Sequence, residues 1–429
     1  MRRAAWVLPD FAEGSGGHRT IFQNIAYLSK HGYKNDVYAE DNGHFKNVRD
    51  LRQKAICYFG DCKCSFHLGY EIKGVYDIVF ATSWKTAAVV DACSCGGEKV
   101  YFIQDFEAFF YPMGGQYLSA CRSYCYDLHF ITIGRWLPQK LFREYGKTSR
   151  YFDFCADPDI YFDLGHKRKK AVCFLYQPEK PRRCSRLGIE ALRIVKRLRP
   201  EVTIYLYGSD FWERIGFEHT NLKLVSPETC NKLYNQCSAG LCISSSNPSR
   251  VPFEMMAAGL PAVDLYLENN LYDMPSNVSL ALCEPAAIAQ AVLDLLDHPA
   301  LAKQMSEEGK EYMQGKTMEY GYRQFYDAVG HIVGSRAKGD AQADEIQDED
   351  EIQDEIQDKI LDEILNKIPM KKIYQKKPVT ASAELKEKIS AKAGRRASLL
   401  DCFKKNRFLR NSRLIRRICL MLRVKRRSG

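Results

Sequence analysis

The 429-residue chain lacks any long apolar run that is free of charge, and none reaches the about 18 residues of a membrane-spanning segment. Two arginines stand near its start, but the short apolar run behind them ends at Pro9 and Asp10, which is not the pattern of a secretory signal peptide. Hydrophobic residues still make up 45% of the chain, which is enough for most of it to fold. We therefore expect a cytoplasmic protein without transmembrane helices.

The 16 cysteines lack the repeated Cys-x2-Cys spacing of a zinc ribbon. The candidate cluster consists of Cys57, Cys62, Cys64, His67, Cys93 and Cys95. Since no secretory signal is present, reduced and buried thiols are favoured over a disulfide framework. We expect no metal to be required, although this cluster leaves a metal site open as an alternative.

The common phosphate-binding fingerprints are also missing. Residues 14–20, GSGGHRT, follow a short apolar strand and open a helix, but their glycine spacing is not Gly-x-Gly-x-x-Gly and no P-loop Lys-Ser/Thr follows. Glycines nevertheless let a ligand approach the backbone, and amides at a helix N-terminus attract anions. Gly16, Gly17 and His18 are therefore candidates for one wall of a diphosphate site. A simple tight turn is the alternative.

Two consecutive series of alternating strand-like and helix-like segments are present, and they predict an α/β protein with two doubly wound domains. The clearest strand candidates lie at 4–8, 76–83, 99–105, 128–134, 150–154, 171–178 and 202–210. A charged stretch at 165–170 separates the two series. We predict one Rossmann-like domain over residues 1–168 and a second over 169–318.

The composition changes after about residue 334. Within residues 335–398, a short acidic repeat, whose isoleucines recur every four residues, predicts a solvated or self-associating helix. The polar and basic residues from Lys371 to Ser398 predict a flexible linker. Residues 399–429 mix apolar residues with many lysines and arginines. That pattern predicts an amphipathic helix on an anionic membrane surface, and a disordered basic tail or a nucleic-acid-binding arm is the less favoured alternative.

Glu254 is the most informative candidate for ligand binding. It falls just inside a predicted helix start, because Pro252 fits a first turn and the next residues favour a helix. The strand-like segment before it ends at the edge where open parallel sheets bind ligands. A carboxylate there can accept hydrogen bonds from both hydroxyls of a ribose. The alternative is a first-turn glutamate that is stabilised only by the helix dipole.

Two further groups of polar residues follow predicted strands. Arg182 and Arg183 precede a helix whose dipole they oppose, which points to an anion such as a pyrophosphate, although solvated arginines are the alternative. Gln104, Asp105 and Glu107 follow another strand and precede an aromatic run that suits a sugar face or the core. These carboxylates are candidates to orient acceptor hydroxyls or to stabilise positive charge at a sugar carbon. We favour Asp105 over Glu107 because it is closer to the strand end.

Several stretches, taken together and in their order along the chain, resemble GT-B glycosyltransferases of the large retaining group that uses nucleotide sugars (family 4-like). The resemblance is greatest to the rhamnosyltransferase branch of that group. The matching stretches are WVLPDFAEGSGGHRTIFQ, YFIQDFEAFFYP, FLYQPEKPRRCSRLGIEAL, LYGSD and SSSNPSRVPFEMMAAGLPAVDL, spread over roughly the first 330 residues. The resemblance implies two Rossmann-like domains facing a cleft, transfer without metal or cofactor, and a helix over about 319–334 that crosses back to the first domain.

The resemblance also implies roles for individual residues. Glu254 matches the second Glu of the group's Glu-x7-Glu motif, which holds the donor ribose, and Arg182 matches the phosphate-binding Lys of its Arg-x4-Lys motif. Ser246 stands where the first Glu is expected, and Gln177 stands where the Arg is expected. We expect Asn247, Pro248 and Ser249 to take over contacts to the sugar or the diphosphate.

Together these features predict a glycosyltransferase peripherally bound to the inner face of the membrane. It would move a deoxyhexose such as rhamnose from a nucleoside diphosphate to a glycan or lipid-linked acceptor in cell-surface polysaccharide synthesis. We expect no nucleic-acid partner. The departures at Ser246 and Gln177 leave open a catalytically inactive binding module of the same fold, and a nucleotide-sugar epimerase is a further alternative.

Overall fold

The computed structural model describes residues 1–211 and 213–337. The predicted acidic repeat lies almost wholly outside these residues, and the predicted membrane-surface segment lies entirely outside them. The strands are β1 (Arg2–Leu8), β2 (Tyr33–Ala39), β3 (Ser65–Leu68), β4 (Ile78–Ala81), β5 (Glu98–Ile103), β6 (His129–Ile133), β7 (Arg150–Phe152), β8 (Ala171–Leu175), β9 (Thr203–Tyr207), β10 (Thr220–Asn221), β11 (Ala239–Leu241), β12 (Ala262–Leu265) and β13 (Ser279–Ala281). The helices are α1 (Gly16–Lys30), α2 (Val48–Phe59), α3 (Trp84–Ala92), α4 (Gly115–Ser123), α5 (Trp136–Tyr145), α6 (Ser185–Leu198), α7 (Pro227–Gln236), α8 (Val251–Ala257), α9 (Glu268–Asp273), α10 (Pro285–Asp297), α11 (Pro299–Met313) and α12 (Met318–Ala337).

The strands form two separate parallel sheets. The first has the order β3-β2-β1-β4-β5-β6-β7 and the second the order β10-β9-β8-β11-β12-β13. In each sheet the chain order reverses beside the first strand of that sheet, β1 or β8, which is the doubly wound arrangement that the alternation of strands and helices predicts. We call the first sheet with its helices the N-lobe and the second sheet with its helices the C-lobe.

Helix α12 follows the C-lobe in sequence but packs against the N-lobe sheet. Its Phe325 is fully buried, with ring centroids 6.0 Å from Trp6, 6.0 Å from Phe80, 5.2 Å from Phe102 and 5.7 Å from Phe152. Burying an aromatic ring among others stabilises the fold by several kcal/mol. The end of the described chain is thereby fixed to the domain in which the chain begins.

Strands β2 and β3 were not predicted from the sequence, because polar side chains interrupt the apolar pattern of β2. The structure explains two of these side chains. The Trp6 indole donates to Asn35 Oδ1 at 2.9 Å, and Asp36 accepts from Arg3 at 3.2 Å and contacts His67 at 3.0 Å. The two side chains are thus hydrogen-bonded to neighbouring strands, and Asn35 Nδ2 also donates to Ser29 Oγ of α1 at 2.9 Å. Such pairing allows polar side chains to occupy the interior of a sheet.

Helices long and apolar enough to cross a membrane do not occur in the described ranges. The cysteines of these ranges are free thiols, and the sulfurs approach each other to 3.0 Å in the pair Cys62 and Cys64 and to 3.2 Å in the pair Cys93 and Cys95. Over the same residues, no three cysteine, histidine or acidic side chains are grouped as metal ligands.

Candidate active site

The glycine-rich loop after β1 is bonded to the end of β5. Gly14 has φ +73°, and Ser15 Oγ caps α1 by accepting from the His18 amide at 3.4 Å. The Gln104 side chain donates to the Gly17 carbonyl at 3.0 Å. Strand β5 ends at Ile103, so Gln104 and Asp105 begin the following loop. The two N-lobe stretches predicted to form the site are therefore neighbours in space.

His18 lies in a largely apolar setting within this loop. Its ring packs against the edges of Phe11 and Phe59, with centroids 6.2 and 6.4 Å away. Burial lowers the pKa of His18 to about 4, opposed only weakly by Asp10. The imidazole is therefore neutral at pH 7, so it can offer a hydrogen bond to a ligand but no positive charge.

Asp105 joins the two lobes. Its Oδ1 accepts from the Phe106 amide at 2.9 Å and from the Asn247 amide at 2.9 Å. Its Oδ2 accepts from Ser246 Oγ at 3.0 Å and lies 3.6 Å from Arg182 Nε. Burial raises the pKa of Asp105, and Arg182 and the hydrogen bonds from the C-lobe oppose that rise. Both carboxylate oxygens are occupied by protein donors.

The C-lobe loop that follows β11 donates hydrogen bonds to the N-lobe. Asn247 Nδ2 donates to the carbonyls of Gln104 at 3.0 Å and Ile133 at 3.1 Å. Buried Pro248 follows, and Ser249 Oγ accepts from the Val251 amide at 3.4 Å, at the start of α8. Asn247 and Ser249 therefore shape the loop and its attachment to the N-lobe.

Glu107 is not part of this group, although only one residue separates it from Asp105. Its Oε2 accepts from the Trp84 amide at 2.9 Å and its Oε1 accepts from the Tyr101 hydroxyl at 2.9 Å. Burial raises its pKa to about 7. The prediction that Glu107 binds substrate is at odds with this position, since the carboxylate is enclosed by the N-lobe and holds the N-terminus of α3.

A cluster of cations lies opposite Asp105 on the C-lobe. Arg182 and Arg183 belong to a short 3-10 helix, Pro181–Arg183, just before α6. The Arg182 guanidinium lies 4.5 Å from the centre of the Phe110 ring, and Arg183 donates to Ser244 Oγ at 3.2 Å. Lys180, which was not singled out from the sequence, is the third member. Burial lowers its pKa, and Arg182 and Arg183 lower it further.

An anion would relieve the mutual repulsion of these three cations, which makes the cluster a candidate phosphate site. Three carboxylates offset part of the repulsion: Glu179 acts on Lys180, Asp105 on Arg182 and Asp264 on Arg183. Lys180 belongs to the same stretch, QPEKPRR at residues 177–183, but only Arg182 and Arg183 stand directly before the predicted helix. Gln177 does not add to the cluster, because its side chain donates to the Gly208 carbonyl at 2.9 Å.

Glu254 lies in the first turn of α8, and Pro252 is at the N-terminal end of that helix. The side chain keeps partial exposure, yet protein surrounds the carboxylate closely enough that desolvation raises its pKa to about 7. Arg250, a hydrogen bond from Tyr161 and Arg19 oppose that rise. Arg19 comes from the first turn of α1 and Tyr161 from the segment between the lobes. Neither was predicted, because only the folded chain brings them beside Glu254.

A second tie between the lobes was missed as well. Asp273, at the end of α9, accepts from the amides of Arg135 at 2.7 Å and Trp136 at 3.2 Å, and so caps α5 of the N-lobe. Burial raises the pKa of Asp273 to about 7, against the effect of these amides. Nearby, Arg143 of the N-lobe forms an ion pair with Glu268 of the C-lobe.

Known proteins resemble the chain in both sequence and structure. Residues 170–293 match the family described as WsaF, C-terminal domain. The O-antigen biosynthesis protein RfbC of Myxococcus xanthus is 26% identical over 337 residues, covering 74% of this chain and 26% of that protein. The chain thus spans about a quarter of the length of this curated relative.

Among solved structures, Anabaena Alr3699/HepE in complex with UDP and glucose has a TM-score of 0.58 and 14% identity, covering 76% of this chain and 99% of that one. A mutant of S. aureus TarM, in complex with fondaparinux, alpha-GlcNAc-glycerol and UDP, has a TM-score of 0.61 and 9% identity, covering 78% and 100%. Identities this low establish the fold alone. The fold is GT-B.

The predicted fold class is thereby confirmed, and the GT-B lobes bring most of the predicted site residues together. Asp105 and Gln104 of the N-lobe meet Arg182, Ser246 and Asn247 of the C-lobe directly. Arg183 acts electrostatically on Asp105, whereas Glu254 lies beside Arg250, Tyr161 and Arg19. The described contacts of Glu107 and of the His18 ring lie within the N-lobe.

Proposed function

We propose that this protein transfers a sugar, a deoxyhexose such as rhamnose, from a nucleoside diphosphate to a glycan or lipid-linked acceptor, with retention of anomeric configuration. The observation that carries the proposal is the cation cluster of Lys180, Arg182 and Arg183 on the same lobe as Glu254. A nucleoside diphosphate needs both features, because its phosphates are anionic and its ribose presents two hydroxyl donors. The GT-B fold and the WsaF match over residues 170–293 support this reading.

The comparisons support a nucleotide-sugar donor and a glycan acceptor as substrate classes. HepE was crystallised with UDP and glucose, and the TarM mutant with UDP and glycan-like ligands. The name of the RfbC relative refers to O-antigen biosynthesis. We extend these to a nucleotide-sugar donor and a polysaccharide or lipid-linked acceptor for this chain. The choice of a deoxyhexose rests on the rhamnosyltransferase-like motifs.

The arrangement suggests how the reaction is promoted. As the bond between the sugar and the diphosphate breaks, negative charge grows on the leaving oxygen, and preorganised cations stabilise that charge. We assign this stabilisation to Arg182 and Arg183, with Lys180 as a third positive charge. We further propose that the amides of Gly16 and Gly17, at the start of α1 in the other lobe, donate to the diphosphate. These groups supply the neutralisation that a metal ion provides in other sites, so the proposal requires no metal or cofactor.

A panel of nucleotide sugars, screened by thermal shift, tests donor binding. A ligand that binds only the folded state raises the melting temperature by mass action. We expect at least one donor to do so for the wild type and Arg183→Gln to weaken its binding by about 10- to 100-fold, the value of a hydrogen bond to a charged group. Arg186→Gln is the matched control, since Arg186 follows three residues later in the first turn of α6, with its side chain 93% exposed.

The alternatives give different results in the same screen. An inactive module that has lost donor binding shows no stabilisation by any nucleotide sugar. An epimerase converts its donor in the absence of any acceptor. Equal weakening by Arg183→Gln and Arg186→Gln would show that the cation cluster is not the diphosphate site.

A further inference from the structure

The Asp105 carboxylate closes the interface between the lobes at the donor site. Apart from the adjacent Phe106 amide, its described partners are Ser246, Asn247 and Arg182, and all three belong to the C-lobe. We propose that Asp105 is a positioning residue, which holds the lobes closed and orients the Arg182 guanidinium, and that it supplies from the N-lobe the carboxylate that position 246 lacks. This inference rests on the proposed function and deepens it.

The hydrogen bonding of Asp105 argues against direct action on the sugar. Oδ1 accepts from two backbone amides at 2.9 Å, and Oδ2 accepts from Ser246 at 3.0 Å while facing Arg182 at 3.6 Å. A carboxylate whose two oxygens are already bonded is poorly placed to accept a proton or to attack a sugar carbon. This departs from the sequence expectation that Asp105 contacts the reacting sugar.

The hydrogen bonds between the lobes run in both directions, so each lobe helps to hold the other in place. While Asp105 accepts from the C-lobe loop, Asn247 Nδ2 of that loop donates to the carbonyls of Gln104 and Ile133 in the N-lobe. Ser246 and Asn247 are 2% and 3% exposed. Opening the lobes would expose these polar groups together and release Arg182 from its only N-lobe carboxylate among the described contacts.

The same geometry accounts for the serine at position 246. A carboxylate there would stand against Asp105 across about 3 Å, where two like charges repel strongly. One carboxylate in this position therefore excludes the other. It follows that the two residue types can be exchanged between positions 105 and 246. An aspartate at 246 can accept from the Asn247 amide that follows it, as Asp105 accepts from the Phe106 amide, and can also accept from a serine hydroxyl at 105.

A charge-exchange experiment tests this inference. We expect Asp105→Ser and Ser246→Asp each to weaken binding of the donor found in the screen by about tenfold or more, the first by losing the carboxylate and the second by pairing two. The double variant, which has the same composition as the wild type, should recover to within about threefold. Calorimetric donor affinity is the readout, and Asp105→Asn, which keeps one acceptor oxygen, replaces Asp105→Ser if that variant does not fold.

A second readout is independent of the donor. Small-angle scattering should show a larger radius of gyration for each single variant and the wild-type value for the double variant. A double variant that binds donor as weakly as the two losses combined, or single variants that bind as well as the wild type, would overturn the inference. If the wild type binds no nucleotide sugar, the proposed function fails, while the scattering comparison still decides whether Asp105 holds the lobes together.

Discussion

Acidic side chains that look alike in the sequence have different roles in the structure. Asp105 and Glu107 are separated by one residue, yet Asp105 bonds the opposite lobe and Glu107 is enclosed beside Tyr101 and Trp84. Proximity to the strand end was enough to favour Asp105. Glu107 begins a short 3-10 helix, and its carboxylate partners come from strand β5 and from the start of α3, which no local pattern reveals.

The position of Glu254 in the first turn of a helix was predictable, because helix-start signals are local, whereas the side chains around it were not. The proline near the start of α8 and the strand before that helix predict a carboxylate at the carboxyl ends of the parallel strands. Its raised pKa comes from burial that only the assembled lobes create.

The pKa of Glu254 gives a prediction at the residue scale. With a pKa of about 7, the carboxylate is mostly ionised at pH 8 and mostly protonated at pH 6. Two ribose hydroxyls need the ionised form as acceptor, so donor affinity should fall as the pH decreases through 7, by up to about tenfold per unit below it. Glu254→Gln should bind the donor about 10- to 100-fold more weakly at pH 8 and without this pH dependence.

Titration calorimetry between pH 6 and 8 measures this effect. An intact nucleotide sugar is the ligand of choice, because its doubly esterified phosphates do not titrate in this range. Glu107→Gln is the matched control, since the Glu107 pKa is also about 7 but its carboxylate lies inside the N-lobe, and it should retain the wild-type pH dependence. Wild-type affinity and pH dependence in Glu254→Gln would remove Glu254 from the donor site.

At the scale of elements, apolar strands were predicted well and polar ones were not. The predicted strands at 99–105 and 128–134 correspond to β5 and β6, whose inner residues are fully buried. Strand β2 was missed because its asparagine and aspartate are matched by side chains of β1 and β3, which a reading of one segment at a time does not include. Pairing between strands distant in sequence decides such cases.

Helix α5 shows how tightly two elements meet across the lobes. Gly134, just before this helix, has φ +79°, and a Cβ there would lie 2.5 Å from the Phe154 ring and 2.8 Å from Asp273 Oδ1. No side chain fits this position without moving the cap that Asp273 provides. The glycine is therefore required both by backbone conformation and by space.

We expect Gly134→Ala to lower the free energy of unfolding by about 3 kcal/mol, from the left-handed conformation and the overlap together. Urea unfolding monitored by circular dichroism measures the change. Gly115→Ala is the control, because Gly115 begins α4 and no atom lies within 4 Å of its added Cβ, so the change should stay below about 1 kcal/mol. A Gly134→Ala protein as stable as the wild type would contradict the close approach.

At the scale of the whole molecule, the two-sheet architecture could be predicted because each series of strands and helices is continuous in sequence. The contacts between the lobes could not, since Asp105, Asn247 and Asp273 meet partners more than 100 residues away. The missing carboxylate at position 246 looked like a loss from the sequence alone. In the folded protein Ser246 Oγ donates at 3.0 Å to a carboxylate of the other lobe, that of Asp105.

The segment at 399–429 carries a separate prediction for the molecule as a whole. Its basic and apolar residues should bind anionic lipid surfaces, which attract lysine and arginine near the interface. Truncation after Ser398 should release the protein from anionic vesicles in a co-sedimentation assay and leave transfer to a soluble acceptor intact. Unchanged vesicle binding by the truncated protein would rule out this segment as the membrane contact.

The central claim is sugar transfer, and mass spectrometry of acceptor glycans tests it most directly. The purified protein is incubated with nucleotide sugars and a set of glycan and lipid-linked acceptors. The account predicts that one acceptor gains one sugar while an equal amount of nucleoside diphosphate is released, and that Arg183→Gln slows this transfer whereas Arg186→Gln does not. Donor that remains unchanged, or donor converted with no acceptor modified, would contradict it.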